Sequence, residues 1–222
     1  MRCRGVDVKL KAVLFDLDGT LIDSKKDIAA AANAARVHFG MPALPLEVVT
    51  GYIGWGIDHL NRKTLGTEDP ARLAEGLEVL KAHYRDHCVD QTLIFPGVKE
   101  LLDFLKAKGV KMGLVSNKPH EFTLITLEKL GLMPYFMVAL GADATPNKKP
   151  HPEPLLVALQ KMGVGPAEAV MIGDSPVDIQ AARAAGMLVG VVEHGFVARE
   201  HLASADPDWL VNNLEEFIEI LT

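Results

Sequence analysis

The chain has 222 residues, of which 49% are hydrophobic and 23% charged, and a formal net charge of -6. That length suits one core domain carrying a substantial insertion, and the composition excludes a disordered chain. The mild acidity and the lack of a basic block exclude the electrostatic footprint of a nucleic-acid-binding protein, and no stretch approaches the ~18 consecutive apolar residues that span a bilayer.

The N-terminal stretch carries Arg2, Arg4 and Lys9 ahead of the apolar run Ala12 to Phe15, but Asp16 and Asp18 interrupt what would otherwise resemble a signal peptide. Cys3 and Cys88 are too few for a disulfide framework and are not spaced as a zinc site. A cytoplasmic protein is expected, without membrane or nucleic-acid partners, as monomer or homodimer.

Lys11 to Asp16 (KAVLFD) reads as a strand buried on both faces, as in a parallel sheet, and it ends on a carboxylate. Ser24 offers an N-cap for an Ala-rich helix from Lys25 to Phe39 that stops at Gly40. Between Leu44 and Cys88 helical periodicity is broken by Gly51, Gly54, Gly56 and Gly66, which predicts several short helices and a longer one starting near Pro70. After Pro96-Gly97 helix and strand alternate. Helices are predicted at Val98–Lys108, Glu121–Leu130, Pro154–Met162 and Val177–Ala185. Strands are predicted at Val110–Ser116, Phe136–Leu140, Ala169–Gly173 and Leu188–Val192, and the tail reads as a strand at Trp209–Val211 and a helix at Leu214–Leu221. The alternation implies an α/β fold, a doubly wound parallel sheet core with an inserted all-helical domain. The core is expected at residues 1–20 and 94–222 and the insertion at 21–93.

In such a sheet, ligands bind beyond the carboxyl ends of the strands, so the residues there carry the chemistry. The first strand ends in Asp16-Leu17-Asp18-Gly19-Thr20, where two carboxylates point toward one region and Gly19 permits a sharp turn. The second ends in Ser116-Asn117-Lys118, a hydroxyl and backbone N–H groups ready to donate to phosphate oxygens. Lys149, fixed by Pro150, supplies an ammonium, and Gly173-Asp174-Ser175-Pro176-Val177-Asp178 adds carboxylates just past another strand. Each piece is weak alone, but their order forms a coherent site for phosphoryl transfer.

With DLDGT at 16–20, Ser116, Lys149 in KPHP and GDSPVD at 173–178, the chain resembles the haloacid dehalogenase superfamily of hydrolases. LFDLDGTLIDS, VSNKP and IGDSPVDIQAARAAGM make it similar to the phosphoglycolate phosphatase branch, and the resemblance implies a Rossmann-like core with the helical insertion at 21–93 as that branch's cap domain. The resemblance implies a magnesium-dependent phosphatase acting on a small phosphorylated metabolite, 2-phosphoglycolate first among them, through an aspartyl phosphate.

In that scheme Asp16 is the nucleophile, and Asp18 protonates the leaving alkoxide and then activates water. Lys149, Ser116 and the Asn117 backbone N–H cradle the phosphoryl oxygens, while Asp16, the Leu17 carbonyl and Asp174 hold Mg2+ with Asp178 behind them. An acid at Asp18 argues against carbon–halogen cleavage, since the family's dehalogenase members lack one there. Gly54 and Trp55 are candidates for a cap segment that chooses the leaving group, and Arg62, Lys63 and Lys118 for pairing with a substrate carboxylate. Trp55 is as readily a packed cap residue, and single surface cations are more often solvated. His83 and His87 have the i, i+4 spacing of a zinc pair, but no third ligand is evident. Two alternatives share these aspartates, a phosphomutase of the β-phosphoglucomutase type and a pyrophosphatase of the same superfamily. From another class, a phospho-accepting receiver switch is opposed by the acceptor lying on the first strand with a cap inserted directly after it.

Overall fold

The computed structural model describes residues 2–3, 6–7 and 10–221, the first four by their backbone only. Arg4, Lys9 and the side chains of Arg2 and Cys3 lie outside the described residues. Two short strands, β1 (Arg2–Cys3) and β2 (Val6–Asp7), pair antiparallel ahead of the main sheet.

Six strands form that sheet: β3 (Ala12–Phe15), β6 (Lys111–Val115), β7 (Val138–Leu140), β8 (Ala169–Gly173), β9 (Leu188–Val192) and β10 (Trp209–Val211). Their order is β10-β9-β8-β3-β6-β7, and every pairing is parallel. Alternation along β3 divides its side chains between two cores. Val13 and Phe15 pack with Val98, Leu101 and Leu105 of α5 (Val98–Ala107), whereas Ala12 and Leu14 pack with Leu155 and Leu159 of α7 (Glu153–Met162) and Ile179 of α8 (Pro176–Ala185). Both faces are thus covered, which is why the central strands read as unbroken apolar runs.

Between β3 and β6 the chain departs into α1 (Lys25–His38), α2 (Leu46–Thr50), α3 (Ile57–Leu65) and α4 (Pro70–His87). The run of alanines in α1 buries Ala31, Ala32 and Ala35 against α4, and Asp69 caps α4 by accepting the Ala71 N–H at 3.1 Å. This helical layer has its own apolar cluster, which Phe122 of α6 (His120–Lys129) joins from the sheet side. The exit and return strands of the insertion, β4 (Ile22–Asp23) and β5 (Leu93–Ile94), pair antiparallel as a neck. Two-residue strands have no periodicity, so sequence patterning missed them, as it missed α9 (Arg199–Ser204). The last helix, α10, covers Glu216–Ile220, inside the predicted stretch. Among the described residues no helix is long and apolar enough to cross a membrane.

Candidate active site

Strand register gathers the site. Phe15 lies level with Leu114 of β6 and Ile172 of β8, so Asp16 stands level with Val115 and Gly173, and Ser116 and Asp174 emerge one residue beyond it. Asp16, Asp174 and Asp178 are all buried, with carboxylate oxygens within 4.8 Å of one another. The Lys149 ammonium enters this group from the far loop. It lies 3.1 Å from Asp16 Oδ1, donates to Asp178 Oδ1 at 2.7 Å and to the Val115 carbonyl at 2.7 Å, and is 1% exposed.

Among the described residues one ammonium, paired with Asp16 and Asp178, sits in a cluster of three carboxylates, and the electrostatics show the shortfall. Burial, with Asp178 nearby, pushes the Asp16 carboxyl up to about 6 against the opposing pull of Lys149. Burial and then repulsion from Asp178 and Asp16 hold the Asp174 carboxyl well above the usual carboxylate range. Burial alone would depress Lys149, but Asp16 and Asp178 outweigh it and raise it. A hard, all-oxygen, under-neutralised cluster fits a divalent cation.

The backbone around Asp174 is made for close approach. Gly19 adopts φ +87°, and a Cβ there would land on the Asp174 carboxylate, as would one at Gly195. Asp174 accepts from the Thr20 hydroxyl at 3.2 Å and the Phe196 N–H at 2.9 Å. Asp178 accepts from the Ser175 hydroxyl at 2.6 Å, and Asp16 from the Leu17 N–H at 2.7 Å and from Ser116. The Leu17 carbonyl, expected to face the cluster, is instead occupied by the N–H groups of Thr20, Leu21 and Ile22, because the tight turn at Gly19 folds those amides back onto it.

Asp18 lies apart from the three acids. Its Oδ1 accepts from Ser24 at 2.5 Å, and both its oxygens accept from Lys118 at 2.9 and 3.0 Å. Ser24, read in the sequence as a helix cap, makes no side-chain capping bond and serves Asp18 instead. Lys118 also donates to the Tyr84 hydroxyl of α4 at 2.6 Å. Nothing in the sequence pointed to Tyr84, which repeats at helical spacing with Leu80 and so reads as core.

Asn117 joins three segments. Its side-chain amide donates to the Lys149 carbonyl at 2.8 Å and to the Gly54 carbonyl at 2.9 Å, tying the insertion to the sheet. Lys148 donates to the Trp55 carbonyl at 2.8 Å in the same seam. Gly54 and Gly56 have φ of +101° and +93° and line the inner cavity, but this backbone turn sends the Trp55 ring outward. Trp55 is 45% exposed, its ring tilted against His59, and it borders an outer groove. Arg62 and Lys63 are exposed, and Arg62 lies 3.4 Å from Glu68. His83 and His87 face each other with ring centroids 4.7 Å apart, and His87 bonds to Asp90; among the described residues no third ligand gathers with them.

The inner cavity lies between sheet and insertion. Asp16, Asp18, Ser116, Asn117 and Lys118 form its polar floor, and its walls are largely apolar, from Ile28, Ile53, Ile57, Leu60, Leu80 and Phe122.

Comparison with known proteins gives the family. The family profile of haloacid dehalogenase-like hydrolases matches residues 13–192. The chain is 39% identical over 218 residues to a phosphoglycolate phosphatase of Thiobacillus denitrificans, covering 96% of each chain. It is 35% identical over 233 residues to the phosphoglycolate phosphatase of Escherichia coli, covering 96% of this chain and 92% of that one. The crystal structure of a predicted phosphoglycolate phosphatase from Haemophilus somnus superposes with a TM-score of 0.91 at 30% identity, covering 96% and 99%.

Proposed function

The chain belongs to the haloacid dehalogenase-like hydrolase family, and on that premise we propose that it is a phosphoglycolate phosphatase in which Asp16 becomes transiently phosphorylated. One observation carries the reading: a buried carboxylate just past the end of the central strand, held by Lys149 among further acids, opens into a small cavity whose walls are largely apolar. Such walls suit a short acid better than a sugar, which would need partners for several hydroxyls. We assign residues 1–20 and 94–222 to the catalytic core and 21–93 to the cap.

Asp16 and Asp174 would hold Mg2+, with Asp178 behind them, bonded to Lys149 and Ser175. When bound, the ion supplies the positive charge that offsets repulsion between carboxylate and phosphate. The chain's own groups do the rest. Lys149 neutralises part of the acidic cluster and binds phosphoryl oxygens, and the Ser116 hydroxyl and Asn117 N–H donate to others. An Asp16 oxygen attacks phosphorus in line as the bond to the leaving oxygen breaks, and Asp18 gives that oxygen its proton. Asp18 then takes a proton from water, whose oxygen attacks the phosphoryl group, releasing inorganic phosphate and restoring the Asp16 carboxylate.

A panel of phosphate esters with Mg2+ tests this. Release of inorganic phosphate from 2-phosphoglycolate with the highest kcat/KM is the expected result. Bisphosphate-dependent sugar isomerisation, pyrophosphate cleavage in its place, or a stable phosphorylated form without turnover would overturn it.

A further inference from the structure

Resting on the phosphatase reading, we propose that Lys118 and Tyr84 together form a carboxylate subsite that makes the enzyme select phosphorylated short-chain acids over neutral phosphomonoesters.

Among the described residues that line the inner cavity, Lys118 is the only cation. A carboxylate carried into largely apolar walls needs an opposite charge and hydrogen-bond donors, or it stays in water. Lys118 supplies both. Its side chain is buried, and its three N–H donors are taken by the two Asp18 oxygens at 2.9 and 3.0 Å and by the Tyr84 hydroxyl, so a substrate carboxylate binds by taking the place of Asp18, which keeps its bond from Ser24. Burial by itself would depress the ammonium, but Asp18 and Tyr84 outweigh it and keep Lys118 charged.

Tyr84 completes the pair. Its hydroxyl accepts from Lys118, which leaves its own proton to donate, and burial raises the phenol above the ordinary tyrosine range despite Lys118, so it stays neutral. Lys118 belongs to the loop after β6 and Tyr84 to α4 of the insertion, so the subsite exists only while the insertion sits on the sheet. The ammonium is also bonded to Asp18, the residue assigned to the leaving oxygen. Carboxylate and leaving oxygen must therefore be separated by only one or two carbons, which sets the length of the acid. An incoming carboxylate that takes Lys118 frees Asp18 from the ammonium.

The test compares kcat/KM for 2-phosphoglycolate and ethyl phosphate, which differ by the carboxylate, in wild type, Lys118→Met, Lys118→Arg and Tyr84→Phe. The wild type should prefer 2-phosphoglycolate. In Lys118→Met the ratio should fall about 100-fold, the scale of leaving one partner of a buried charge pair unmatched. Tyr84→Phe should lower it about tenfold, and Lys118→Arg should retain more of the preference than Lys118→Met. Proportional losses on both substrates, or an unchanged ratio in Lys118→Met, would overturn the subsite alone. A wild type indifferent to the carboxylate would overturn the phosphoglycolate reading with it. If Lys118→Met does not fold, Tyr84→Phe decides, and an unchanged ratio there counts against the proposal.

Discussion

Replacing Lys149 with methionine removes the ammonium that pairs with two of the three clustered carboxylates, Asp16 and Asp178, while keeping an unbranched apolar stem. The lost contacts are those to Asp16, Asp178 and the Val115 carbonyl. Stripping one partner from a buried charge cluster costs about 3–5 kcal/mol, because the remaining charges stay desolvated. For a chain of this size 1 kcal/mol moves Tm by about 2–4 °C, so the metal-free variant should melt about 6–20 °C below wild type at pH 8. The deficit should shrink at low pH. The Asp16 carboxyl is raised from 3.8 to about 6 even with Lys149 present, and it rises further without that charge. A carboxyl raised in the folded state gives a stability contribution that is fully present below 3.8 and is lost as pH climbs through about 6. Acidification through that window therefore favours the folded variant more than the folded wild type. Circular-dichroism melts at pH 8 and pH 5 read both effects. A Tm within 2 °C of wild type at pH 8, or an equal deficit at the two pH values, would refute the reasoning.

Asp16→Asn should lower turnover by at least about 10⁴-fold, because a carboxamide is not a competent nucleophile. Its metal-free Tm should be no lower than wild type, since one of the repelling charges is gone; steady-state assays and melts check both. Gly19→Ala places a Cβ on the Asp174 carboxylate in a left-handed backbone conformation. A loss of about 1–2 kcal/mol, or about 2–8 °C, should accompany a weaker response of Tm to Mg2+. Mg2+ at about 100 times its Kd should raise the wild-type Tm by about 5–11 °C at pH 8. The rise should diminish as pH falls through about 6, where Asp16 takes a proton in competition with the ion. Titration calorimetry or melts with and without EDTA would measure it, and a shift equal at pH 8 and pH 5 would contradict the assignment of the ion to these acids.

Local signals determined much of this protein. Continuous apolar runs ending in Asp16, Ser116 and Asp174 report strands buried on both faces, and burial on both faces leaves little freedom except a parallel sheet with its functional groups at one edge. Glycine breaks and 3.6-residue periodicity mark the helical insertion in the same way. Tertiary structure alone decided the partners. Neither the β4–β5 neck nor Tyr84 beneath Lys118 leaves a trace in the sequence, because a two-residue strand has no period and a tyrosine on an apolar helix face looks like any core residue. The same holds for the Leu17 carbonyl, the Trp55 ring and Ser24. Spacing brings such groups near a site, but where they point depends on backbone dihedrals and on contacts with segments distant in the chain, such as the turn at Gly19, the positive φ of Gly54 and Gly56, and the Gly54 carbonyl held by Asn117.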